Sequence, residues 1–99
     1  MERRAFIRKS TDMDGILKYN NVASLVRIIN CSEDGMCIVS LLDILNLSSS
    51  VDVFVHSDDK YLKLSGRVAR VAIQNEHGYA VGINFSNPPL NYLELLEGL

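Results

Sequence analysis

The chain has 99 residues, 47% of them hydrophobic and 22% charged, with a formal net charge of −2 at pH 7. This length builds one core, the composition is that of a globular domain, and no apolar stretch approaches the ~20 residues that span a bilayer. Ten basic and twelve acidic residues are unevenly placed: Arg3, Arg4, Arg8 and Lys9 stand against Glu2 in the first nine positions, which leaves six basic and eleven acidic beyond them.

An acidic body argues against a general DNA or RNA binder, which needs a broad basic face. The basic arm over residues 1–9 suits a small, compact anion instead. Self-repulsion at a chain end predicts that this arm is mobile without a ligand. The charged opening is followed by no apolar run of signal-peptide length, so the chain reads as a soluble cytoplasmic domain without membrane insertion. Cys31 and Cys37, six apart with no second pair, read as reduced packed thiols rather than zinc ligands.

Beyond the arm, Gly15 to Tyr19 reads as a weak strand, Ser24 to Ile29 as a strong one, and Met36 to Ser40 as its return. Asp43 to Ser50 is either a loop or a single helical turn. Val51, Val53 and Val55 alternate with Asp52, Phe54 and His56, which predicts a strand. The turn formers Ser57-Asp58-Asp59-Lys60 lead into a long run from Leu62 to Ile73, with a bulge or bend expected at Gly66. Asn75-Glu76-His77-Gly78 turns the chain into a last strand that points Tyr79, Val81, Ile83 and Phe85 one way. After Pro88-Pro89, the spacing of Leu90, Leu93 and Leu96 predicts a short helix. Five or six strands at near-regular spacing imply a small antiparallel barrel.

The sequence carries no enzyme signature. His56 and His77 stand apart from any nucleophile, and no glycine-rich phosphate loop is present. The acidic residues lack the spacing of a calcium loop, so no metal or cofactor is expected. Two features remain. Arg4-Ala5-Phe6-Ile7-Arg8 is an RxxxR preceded by Arg3, and its guanidinium forks match phosphate oxygens or the edge of guanine. Alone, it also reads as a solvated basic terminus. Asn30-Cys31-Ser32-Glu33-Asp34-Gly35 is a (D/N)xSxxG that offers an amide, a hydroxyl and a glycine expected to allow positive φ and close backbone approach. Alone, it also reads as a hairpin turn.

In this order the two motifs resemble the PilZ domain, the bacterial receptor module for cyclic di-GMP. Leu64 to Val71 is similar to the family's fifth-strand region, and Val81-Gly82-Ile83-Asn84-Phe85 to its closing strand, so the resemblance covers nearly the whole chain. It implies a single domain over 1–99: an all-β, six-stranded antiparallel β-barrel over 14–86, with a short C-terminal helix over 89–98. It implies that Arg4 and Arg8 clasp phosphates and guanines, that Asn30 and Ser32 bond to the ligand, and that Gly35 keeps the loop open. An arginine at position 3 is similar to members that hold a stacked pair of ligands. Asn in place of Asp at position 30 removes one acceptor oxygen and its charge. The resemblance further implies a receptor that signals through a protein partner or a homodimer. The alternative within the family is an interaction domain that binds no nucleotide and acts in pilus or motility assembly.

Overall fold

The computed structural model of the protein describes residues 8–41, 46–75 and 78–99. Six strands, β1 (Lys9–Tyr19), β2 (Val22–Ser32), β3 (Gly35–Ser40), β4 (Ser50–Ser57), β5 (Lys60–Asn75) and β6 (Gly78–Phe85), precede the helix α1 (Leu90–Glu97). All pairings are antiparallel, and the strands close in the order β1-β2-β3-β6-β5-β4. The all-β barrel with a C-terminal helix expected from the strand spacing is therefore the fold.

Period-two alternation builds the interior. Val51, Val53 and Val55 of β4 and Val81, Ile83 and Phe85 of β6 face inward, against Leu17, Val26, Ile28, Met36, Ile38, Leu64 and Val68. The helix closes one end of the barrel with Tyr92 and Leu96, four apart on one face. Leu90, expected on the apolar stripe, points to solvent at 70% exposure. The buried stripe runs instead through Tyr92 and Leu96, with Leu93 and Leu95 half-buried beside it.

Two expectations change in detail. β1 begins at Lys9 rather than Gly15, because Lys9 and Ser10 already pair with Cys31 and Asn30. The polar run from Ser10 to Asp14 hides that half of the strand from a hydrophobic pattern. Gly66 is not a bulge: it pairs regularly with Val51 and Phe85, at a point where a Cβ would crowd the Asn84 carbonyl oxygen. The register of β5 shifts further on, between Val68 and Arg70. Asp58 and Asp59 form the two-residue turn between β4 and β5, with φ of 49° and 63°. Residues 76 and 77 of the expected last turn, and 42–45 of the uncertain loop, lie outside the described residues.

Candidate functional site

The site forms where β1, β2 and β3 meet near the barrel end that α1 covers. Ile28 and Cys31 are both fully buried, so strict alternation cannot serve both. The register shift between Ile28 and Asn30 inserts one residue and turns Asn30 to the outer wall, opposite Cys37 and Ser10. There Arg8 Nη1 donates to Asn30 Oδ1 across 2.5 Å, although the two residues are 22 apart in sequence. The last arginine of RxxxR and the first residue of (D/N)xSxxG are thus in direct contact. Arg3 and Arg4 lie outside the described residues.

Ser32 sits differently. It is 1% exposed, and its hydroxyl donates to Asp34 Oδ1 at 2.6 Å. Its carbonyl oxygen accepts the Tyr92 hydroxyl at 2.7 Å. The Ser32 hydroxyl therefore fixes the turn from inside instead of lining the outer wall. Gly35 pairs with Ser32 on one side and Asn84 on the other. The positive φ expected there does not occur; among the described glycines only Gly78 is left-handed, at φ 128°. Gly35 is needed for the second reason given, close approach, since any Cβ would run into the Ile83 carbonyl oxygen. The Asp34 carbonyl in turn accepts the Phe85 N–H at 2.8 Å, which joins the turn to β6.

Beneath the site, burial pushes the Cys31 thiol above its ordinary value. Burial and the neighbouring Cys31 raise the Tyr92 hydroxyl far more. Both groups stay neutral at physiological pH. Lys9 reaches the opposite way, with Nζ donating to the Leu96 carbonyl at 2.7 Å and to that of Leu99 at 3.4 Å. Its positive charge complements the carbonyl end of α1. Cys31 and Cys37 are both free thiols, the first buried and the second half-buried. His56 packs on Tyr61 with ring centroids 4.9 Å apart, a contact across the β4–β5 pair.

Sequence reasoning missed Tyr92, Lys9 and Asp34 as supports of the motif turn. A signal existed for one of them. A tyrosine four residues before Leu96 on a helix face buries its ring, and a buried phenol seeks an acceptor. Nothing in the pattern pointed to Lys9.

The family model for the PilZ domain matches residues 2–99. The chain is similar in fold to the inhibitor of motility MotI/DgrA of Bacillus subtilis, with a TM-score of 0.74 and 16% identity over 97% of this chain and 48% of that one. It is likewise similar to PlzA of Borreliella burgdorferi, whose structure is a complex with c-di-GMP, with a TM-score of 0.75 and 16% identity over 96% of this chain and 40% of that one. The chain thus spans less than half the length of either structure. No curated protein matches it. A closed six-stranded barrel and a family match over residues 2–99 place this chain in the PilZ domain family.

Proposed function

We propose that this protein is a cytoplasmic receptor for cyclic di-GMP that binds the nucleotide unchanged and passes the signal to a protein partner or a second copy of itself. The contact that carries this reading is the one between Arg8 and Asn30, which joins the two motifs on an exposed wall. In this reading Arg3, Arg4 and Arg8 supply counter-charge and planar donor forks to the phosphates and guanines. Asn30 bonds a guanine edge, while Gly35 and the Ser32–Asp34 hydrogen bond keep the turn in shape. For the Ser32 hydroxyl to bond the ligand itself, its contact with Asp34 must open. Arg8 and Lys9 are already held without ligand, by Asn30 and by the end of α1, so in this reading the ligand fixes the arm ahead of Arg8 across the turn, and the partner reads the fixed arm. Charge-assisted hydrogen bonds contribute ~1.5–3 kcal/mol each, so a few of them, less ordering costs, reach the ~8 kcal/mol of micromolar binding.

Isothermal titration with cyclic di-GMP, with GMP and cyclic di-AMP as controls, tests the proposal. Saturable binding of cyclic di-GMP alone, weakened at least tenfold by Arg4→Ala and by Arg8→Ala, is the expected result. A folded wild type that takes up none of the nucleotide would make this chain a docking module of the same family.

A further inference from the structure

Two irregularities in the barrel act on the same stretch of outer wall. In β2 the register shifts between Ile28 and Asn30, and in β5 between Val68 and Arg70. Val68 fills the core at 2% exposure, so plain alternation would turn Arg70 inward as well. The inserted residue Ala69 turns it out, as Ile29 does for Asn30. The pairings of Asn30 with Cys37, Cys37 with Gly82 and Gly82 with Arg70 then place four residues in one row across β2, β3, β6 and β5.

Arg70 lies along Gly82. A Cβ on that glycine would stand 3.6 Å from the Arg70 Cβ and 3.9 Å from Nε and Nη2. The guanidinium thus extends over β6 toward the Arg8–Asn30 pair, from which about two strand spacings, ~10 Å, separate it. Arg70 is exposed, and it has no hydrogen bond or ion pair with the described residues. Gly82 is also a glycine that the backbone does not demand. At Gly35 and Gly66 a Cβ collides with a carbonyl of the next strand, whereas at Gly82 it would meet only the Arg70 side chain, at ordinary contact distance. Glycine inside a strand weakens it, and it persists where a ligand must approach closely.

We infer that Arg70 is a further ligand-contacting residue, stacking its guanidinium on a guanine face above Gly82 while Arg8 and Asn30 hold the ligand from the other side. This rests on the cyclic di-GMP reading. The guanidinium plane covers an aromatic face while its N–H fork remains free for a phosphate oxygen. A lysine in its place keeps the charge and loses the plane. Gly82 leaves the depth that a base needs, and Cys37, next in the row, lies under the bound nucleotide.

The test combines titration of cyclic di-GMP into wild type, Arg70→Ala, Arg70→Lys and Gly82→Val with alkylation of Cys37, followed by peptide mass with and without the nucleotide. Each variant should bind at least tenfold more weakly while its ligand-free melting temperature stays within a few degrees of wild type or rises. Saturating nucleotide should slow Cys37 alkylation at least tenfold in the wild type, a readout that needs no variant to fold. Wild-type affinity in a folded Arg70→Ala or Arg70→Lys protein overturns the inference, as does Cys37 alkylation that saturating ligand leaves unchanged. In either case the wild type still binds, so the receptor reading survives. A wild type that binds no cyclic di-GMP overturns both.

Discussion

The Tyr92 hydroxyl donates to the Ser32 carbonyl oxygen over 2.7 Å, inside the barrel end that α1 closes. The Tyr92 ring meets Phe85 edge-on with centroids 5.5 Å apart. One side chain therefore docks the helix and pins the strand end that carries the second motif.

Tyr92→Phe keeps the ring packing and removes the hydroxyl's bond to the Ser32 carbonyl. Losing such a hydrogen bond costs about 0.5–1.5 kcal/mol. For a domain of this size each kcal/mol lowers the melting temperature by roughly 4–8 °C. Thermal melting by circular dichroism checks this; a variant that melts with the wild type would show that the bond adds nothing to the fold.

Stability should fall on the alkaline side. Cys31 and Tyr92 both have folded-state values raised above their ordinary 9.0 and 10.0. The unfolded chain loses these protons first, so their stabilising contribution is intact below about pH 9 and declines above it. The limiting slope is about 1.4 kcal/mol per pH unit for each group. Urea midpoints measured from pH 7 to pH 11 report the decline, and Tyr92→Phe should flatten the portion above pH 10.

Asn30→Ala removes the oxygen that holds Arg8 and should weaken cyclic di-GMP binding at least tenfold. Both partners of this bond lie toward the surface, so its loss should cost the fold less than about 1 kcal/mol. A calorimetric titration beside a urea melt separates the two effects. Equal losses in affinity and stability would mean that Asn30 is structural.

Gly35→Val should damage the fold before it damages binding. Any side chain there meets the Ile83 carbonyl, and relieving that collision means opening the β3–β6 pairing. Overpacking costs typically 1–3 kcal/mol, and a clash with a paired strand belongs at the upper end or beyond. A denaturation midpoint close to that of the wild type would sink this reading.

Asp59→Gly should stabilise the protein. Asp59 holds a left-handed φ of 63° in the β4–β5 turn, a conformation that costs side-chain-bearing residues energy and glycine nothing. The extra freedom of glycine in the unfolded chain offsets part of the gain, so about 0.5–1 kcal/mol remains. Differential scanning calorimetry should place the variant a few degrees above the wild type.

Strands were readable where one face is apolar and the other polar, as in Val51–Val55 and Val81–Phe85. The first half of β1 was not, because Ser10, Asp12 and Asp14 face solvent and the inner positions hold Lys9, Thr11 and Met13. Register shifts leave no mark on composition, so the pattern does not show the outward turn of Arg70, and the glycine at 66 suggests an irregularity that lies at Ala69. The motifs single out Asn30 and Gly35. They could not tell that Ser32 is enclosed, because that depends on a helix sixty residues later.

The strand order has a kinetic consequence. β1-β2-β3 and β4-β5-β6 are each a local meander, and only the β3–β6 and β1–β4 seams join them over long stretches of sequence. Loop-closure entropy delays such seams until the local hairpins exist. The Asn30–Arg70 row crosses the β3–β6 seam, with Asn30 and Cys37 on one meander and Gly82 and Arg70 on the other. A nucleotide lying across it would staple two halves that meet late in folding. Bound ligand should then leave the refolding rate almost untouched and slow unfolding, so that occupancy is recorded as the lifetime of the closed barrel.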